Sequence, residues 1–202
     1  DHNKICPRAD FCGGCIYQGI PYEEQLAQKD KSVRKLLSKH DIDESIYEGM
    51  VPAYTCYSYR NKMEYTFGDI EKGGELELGM HKKGRFMSIV TVDQCQLVHP
   101  DFNAILKGTL DFVCERGYSH YHKRKHTGLM RHLIIRRGVR TGELLINICT
   151  TSEEGFDEEA YVEMINNLPL ENRIAGVLRT INDRLADAVY CDELRVLQGR
   201  DY

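Results

Sequence analysis

The sequence predicts an α+β protein built on a mainly antiparallel sheet with a few helices, preceded by a cysteine-rich loop. Three observations predict this. Strand-like segments are joined by turns of hairpin length, as in EKGGELELGMHKKGRFMSIV, where Gly73-Gly74 and Lys83-Gly84 are the turns. Single helical segments, rather than regular βα repeats, separate the groups of strands. No Gly-rich fingerprint stands at a strand-to-helix turn, so no nucleotide-binding half is visible.

The elements follow in order. Residues 1–20 read as a loop punctuated by Pro7, Gly13 and Gly14. PYEEQLAQKDKSVRKLLSKH reads as a helix: Pro21 suits the first turn, Glu23 and Glu24 its positive end, Lys39 and His40 its negative end. Leu26, Val33, Leu36 and Leu37 give it an apolar stripe. In YRNKMEYTFGDI, Tyr59, Asn61, Met63, Tyr65 and Phe67 share one face, opposite Arg60, Lys62, Glu64 and Thr66, which is strand alternation. Two more short strands complete that group. Residues 100–117 read as a helix with Ile105, Leu106, Leu110, Phe112 and Val113 inward. LMRHLIIRRG and ELLINICTT read as a hairpin turning at Arg140-Thr141-Gly142. EEGFDEEAYVEMINNLP reads as a helix ending before Pro169, and IAGVLRTIND and RLADAVY as two final strands. The expected division is 1–45 for the cysteine loop and its helix and 46–202 for a central α+β domain.

With 202 residues, 42 % hydrophobic and 29 % charged, the chain can bury a core. No apolar run approaches bilayer length, so no membrane partner is expected. The N-terminal DHNKICPRAD has no apolar stretch resembling a secretion signal, so the expected location is cytoplasmic. A net charge of −4 and a pI of about 6.1 argue weakly against nucleic acid, but the distribution of charge outweighs the sum.

That distribution is uneven. The segment Ser119–Arg140, SHYHKRKHTGLMRHLIIRRGVR, has no acidic residue, and His81-Lys82-Lys83-Gly84-Arg85 forms a second basic patch. Acidic residues gather elsewhere, as in SEEGFDEE. Such segregation makes a positive face suited to phosphate backbones. The candidate phosphate contacts are Arg60, Lys62, Lys82, Arg85, Lys123, Arg124, Lys125, Arg131 and Arg136, with Tyr121 and Phe86 as stacking groups for unpaired bases. The plainer alternative is a solvated loop with Arg131 and Arg136 paired to carboxylates. His120, His122, His126 and His132 fit no zinc spacing and read as surface residues.

CPRADFCGGC places Cys6, Cys12 and Cys15 in a C-x5-C-x2-C pattern. In a reducing compartment clustered cysteines favour metal over disulfides. The best fourth ligand is Cys95 in VDQCQLVHP, in a loop between a strand and a helix. Structural zinc usually takes two short hooks, whereas three local ligands and a remote one are common in four-cysteine iron–sulfur sites; the spacing leans to the cluster and leaves zinc open. Cys12-Gly13-Gly14-Cys15 does not open a helix in a βαβ unit, against a redox pair. Cys114 and Cys149 lie in apolar periodic segments and read as buried small hydrophobes. Cys56 and Cys191 carry no assigned role.

Four phrases in order, CPRADFCGGC with the following Tyr17-Gln18, YRNKMEYTFG, LGMHKKGRFMSIVTVDQCQLVHP and GLMRHLIIRRG, resemble the iron–sulfur RNA (uracil-5-)-methyltransferases of the ribosomal RNA type. The resemblance covers most of the chain. It implies a [4Fe-4S] cluster on Cys6, Cys12, Cys15 and Cys95, with a mainly structural and RNA-positioning role. It also implies a parent enzyme acting on 23S rRNA with S-adenosyl-L-methionine. The family keeps that cofactor, a catalytic cysteine and an acidic residue in a C-terminal Rossmann-like domain, whose motifs these 202 residues lack. The expectation is therefore a monomeric RNA-binding fragment, with no catalytic residue and inactive alone. The alternative is a stand-alone zinc-containing RNA-binding module; a small electron-transfer protein is the weakest reading, for want of a recognisable partner.

Overall fold

The computed structural model describes residues 6–186 and 188–202. Helix α1 (Tyr22–Lys39) leads into a short 3-10 turn and an irregular strap. Then come β1 (Lys62–Gly68), β2 (Glu77–Lys82), β3 (Arg85–Thr91), α2 (Pro100–Arg116), β4 (Met130–Gly138), β5 (Glu143–Thr150), α3 (Glu158–Asn166), β6 (Arg173–Ile181) and β7 (Glu193–Gly199). The strands form one sheet in the order β3-β2-β1-β4-β5-β6-β7. All neighbours are antiparallel except β5 and β6, which are parallel and need the crossover that α3 provides. The α+β expectation is met.

Alternation builds the core. Met63, Tyr65 and Phe67 of β1 and Leu133 and Ile135 of β4 are buried with Leu144, Ile146 and Ile148 of β5. Against them pack Phe102, Ile105, Leu106, Phe112 and Val113 of α2 and Tyr161 and Ile165 of α3. Their rings meet edge-on, Phe112 to Tyr161 at 5.5 Å. On the reverse face of β1 and β4, Lys62 stands opposite Arg136, Glu64 opposite Ile134 and Thr66 opposite His132.

The helices are tied at their ends. His99 caps α2, its Nδ1 accepting the Asp101 N–H at 3.2 Å, and Gly117 ends it with a left-handed φ of 67° that a side chain would resist. Buried Asp101 accepts the N–H groups of Glu171 (3.0 Å) and Asn172 (2.8 Å). Burial alone would raise its pKa; these donors, the Asn172 side chain and His99 hold its carboxyl below the usual range instead. Asp157 caps α3 by accepting the Ala160 N–H at 3.0 Å.

Three expectations change. The apolar stripe of α1 enters no core: the helix has no buried residue, and Leu36 is 58 % exposed. It rests on the strap after it, where the Tyr47 hydroxyl donates to Asp30 (2.9 Å) and the Ala53 N–H donates to the Tyr22 hydroxyl (2.6 Å). The last strand is Glu193–Gly199, not RLADAVY: its described residues lie in no strand, and the Ala186 and Ala188 carbonyls accept from Arg131 and Asn182; Asp187 lies outside the described residues. Cys114 is exposed, because position 114 falls on the outer side of α2, whereas Cys149 is buried as expected. Residues 1–5 of the cysteine arm also lie outside the described residues.

Candidate metal centre and nucleic-acid interface

The loop 6–15 docks on the β2–β3 hairpin as a short extra strand. The Gly13 N–H donates to His81 O (2.9 Å) and the Lys83 N–H to Phe11 O (2.8 Å), around a bridge between Cys12 and Lys82. Lys83 Nζ also donates to Ala9 O (2.5 Å), and Arg8 approaches Asp93 at 3.8 Å. A Cβ on Gly13 would stand 2.9 Å from His81 O, so glycine permits this close approach.

This docking brings the three local cysteines to Cys95. All eight cysteines are free thiols. Cys6, Cys12, Cys15 and Cys95 are half-buried, and Cys12 and Cys95 pack against the core. Burial pushes the Cys15 thiol up, and the neighbouring Cys95, Cys12 and Cys6 charges add to the rise while Arg60 opposes it. Burial likewise raises Cys95, with Cys6 and Cys12 adding, against hydrogen bonds from the Leu97 and Val98 backbone. The Gly14 N–H donates to Cys12 Sγ at 3.3 Å. Asn103 of α2 clamps the Cys95 backbone, accepting its N–H (3.2 Å) and donating to its carbonyl (3.1 Å). Four thiols thus lie within electrostatic reach of one another, with amides aimed at the Cys12 and Cys95 sulfurs, a donor chemistry that fits a thiolate-bound metal group. Among the described residues no three His, Cys, Asp or Glu side chains already surround a point able to hold a metal ion.

The predicted cations do not form one patch. Lys82 reaches over the Phe11 ring at 5.5 Å, and Lys123 over Phe86 at 4.6 Å, while Phe86 stacks on His81 with centroids 5.1 Å apart. These contacts join the hairpin tip, with exposed Arg85, to the loop carrying Lys123, Arg124 and Lys125. That loop, with Lys72 and Asp69, lines a cavity of about 330 Å³. Lys62 and Arg136 face each other across β1 and β4, Lys62 also pairing with Glu64. Arg60 is exposed beside the cysteines.

Arg131 is a correction. It is 2 % exposed, and its guanidinium donates to the carbonyls of Asn182 (2.9 Å), Arg184 (2.7 Å) and Ala186 (2.9 Å). It lies 4.0 Å above the Tyr121 ring, so Tyr121 is buried under it and stacks on no base. His132 is also buried, beside Thr66 at 3.4 Å, and is no surface residue. The β4–β5 register shifts between Met130 and His132, and this bulge turns Arg131 to the loop it holds.

Sequence reasoning missed a second cavity, of about 440 Å³, between the cysteine loop, the start of α1 and the strap. Tyr17, Tyr22, Tyr57 and Tyr59 line it with Lys29 and Arg60. The available signal was the tyrosine density of YTCYSY, residues 54–59. Among the described residues no helix is long and apolar enough to cross a membrane.

No family model matches the chain. Proteins named uncharacterized RNA methyltransferases are similar along nearly all of it. The one from Clostridium tetani is 43 % identical over 197 residues, covering 98 % of this chain and 43 % of that protein. The one from Caldanaerobacter subterraneus subsp. tengcongensis is 42 % identical, covering 98 % of this chain and 44 % of that protein. The chain therefore spans less than half the length of these curated relatives. A Pyrococcus abyssi tRNA (uracil-54, C5)-methyltransferase, crystallised with S-adenosyl-L-homocysteine, matches with a TM-score of 0.69 at 20 % identity, over 94 % of this chain and 41 % of that one. At that identity the likeness is one of fold.

Proposed function

We propose, with the likeness to proteins named RNA methyltransferases as premise, that this chain is the RNA-holding part of a longer S-adenosylmethionine-dependent enzyme. The target is C5 of a uridine in 23S rRNA, and the setting is a cytoplasmic, monomeric protein. The observation that carries the reading is similarity along 98 % of the chain to relatives so named. The geometry adds exposed cations at the hairpin tip and the neighbouring loop of a net-acidic chain.

This chain's own residues bind and orient; they do not perform the chemistry. Carbon methylation of a uracil ring needs a nucleophile to activate it, and a thiol serves only as thiolate. Cys149 is fully buried and burial pushes it up to about 12, so it stays protonated and out of reach. Lys82, Arg85, Lys123, Arg124 and Lys125 are the phosphate contacts of the main interface, and Arg60, Lys62 and Arg136 extend it. Arg131 is withdrawn from the set. Held along its backbone, the RNA presents a uridine that leaves its stack to reach the rest of the enzyme.

Cys6, Cys12, Cys15 and Cys95 would hold a [4Fe-4S] cluster. When bound, the cluster supplies thiolate links that fix the arm to the sheet and couple metal binding to folding. The half-buried thiols and the amide donors to Cys12 and Cys95 support this assignment.

The full-length protein, tritiated S-adenosylmethionine and transcripts of 23S rRNA and of tRNA test the activity. Label in the C5 position of one 23S uridine is expected. Label only in tRNA overturns the ribosomal assignment, and label in neither overturns the enzyme. Replacing Lys123, Arg124 and Lys125 together by Ala should weaken RNA binding and flatten its salt dependence. Unchanged affinity across salt concentrations would remove that loop from the interface.

A further inference from the structure

The geometry points to the tyrosine-lined cavity as a receptor for one unpaired base of the bound RNA, stacked on Tyr59. This inference rests on the RNA-binding reading above and deepens it by naming a second contact, away from the cationic loop. The cavity measures about 440 Å³, within the size range of small-ligand sites, and its walls come from three separate stretches of chain.

Its lining has the chemistry of base recognition. Four tyrosines supply flat π-faces, and Lys29 and Arg60 supply positive charge at the same opening. Lys29 already lies 4.9 Å over the Tyr17 ring, which occupies that face. Tyr59 differs from the other three: it is 54 % exposed, whereas they are half-buried. Its backbone is fixed on both sides, because the Ser58 N–H donates to Gln96 O (2.9 Å) and the Arg60 N–H to Leu97 O (2.8 Å). A rigid backbone carrying an exposed aromatic ring loses little entropy on stacking.

Tyr54, fully exposed on the same strap, offers a second platform for a neighbouring base. Exposed aromatic rings interleaved with cations fit an extended, single-stranded polyanion, whose bases all present π-faces and whose phosphates need charge. A duplex keeps its bases stacked on one another and cannot use the cavity. Gly14 and Cys15 form part of the wall, so the cavity is continuous with the cysteine site.

The test uses the chain purified without oxygen and a short single-stranded RNA carrying 2-aminopurine, with the same sequence as a duplex for comparison. Fluorescence should be quenched when the single strand binds. Tyr59→Ala should weaken single-strand binding about 5- to 150-fold, the range set by one base–aromatic stack. Tyr59→Phe should retain affinity, and duplex binding should not change in either variant. Circular dichroism checks that both variants fold, which the exposure of Tyr59 favours. Undiminished single-strand binding by Tyr59→Ala, or no quenching with the wild-type chain bound, overturns the base pocket and leaves the RNA reading standing. Free AMP competing as strongly as the RNA overturns it too, making the cavity a mononucleotide site. If the wild-type chain binds neither single strand nor duplex, the RNA reading itself fails.

Discussion

The central sheet and the N-terminal arm are held together by different physics. In the sheet and the helix packed on it, Tyr65, Leu133, Ile135, Ile146 and Phe102 are fully buried in one core cluster. In the arm, from Cys6 through α1 and its strap, an 18-residue helix has no fully buried residue, and Leu26, Val33 and Leu37 are only partly covered. Its contacts are polar ones, such as the hydrogen bonds of Tyr47 to Asp30 and Ala53 to Tyr22, and Arg34 set over the Tyr47 ring. The arm adds little to the apolar core beyond Cys12. Backbone hydrogen bonds join it to the sheet at Gly13, Lys83, Ser58 and Arg60, and under the proposed function a metal group on the four cysteines would add a further constraint.

The largest expected effect breaks that contrast at its joint. Cys95→Ser should abolish bound metal and leave residues 6–59 open to limited proteolysis, while the sheet stays resistant. Wild-type chain purified without oxygen should hold about four iron and four sulfide. About one zinc instead would replace the cluster by a zinc centre and favour a stand-alone RNA-binding module. An arm equally protected with and without metal would remove the contrast altogether.

Within the sheet, Ile135→Ala should cost about 2–5 kcal/mol in urea unfolding, the range for a buried aliphatic chain cut back to a cavity. Arg131→Met should cost about 3 kcal/mol, since it strands three carbonyls that the guanidinium now satisfies. RNA affinity of that variant should equal the wild type at every salt concentration, because the side chain faces the protein interior. A lost phosphate contact in the salt slope would return Arg131 to the interface. The smallest effect is in the arm: Leu36→Ala should change stability by no more than about 0.5 kcal/mol. A loss like that of Ile135→Ala would mean that α1 has a packed partner in solution.

Much of this was legible in the chain, and the reasons are local. Met63, Tyr65 and Phe67 alternate, so one face of β1 had to be apolar. Pro100 and Gly117 bracket α2 because one suits a helix start and the other tolerates the left-handed end. The spacing of Cys6, Cys12 and Cys15 marked a candidate site, and Cys95 was placed with them because a loop can deliver a remote ligand; the fold sets Cys6, Cys12 and Cys95 near enough to Cys15 for their charges to raise its thiol, with no metal-holding group closed among the described residues. The cavity of Tyr59 was not legible, since its walls lie far apart in sequence and only the tyrosine density hinted at them.

The sequence by itself determined the periodicities, the caps and the spacing of the thiols, all of which act over a few residues. Only the tertiary structure decided what became of Leu36 and Arg131. An apolar stripe states that a helix can be buried, not that a partner surface is present, and Leu36 is left 58 % exposed. An arginine in a basic run reads as surface charge until a bulge at its own position and carbonyls some fifty residues onward give it a buried place. Those carbonyls are set by where β6 ends, and backbone acceptors are the same in every sequence, so no residue pattern near position 131 could announce them.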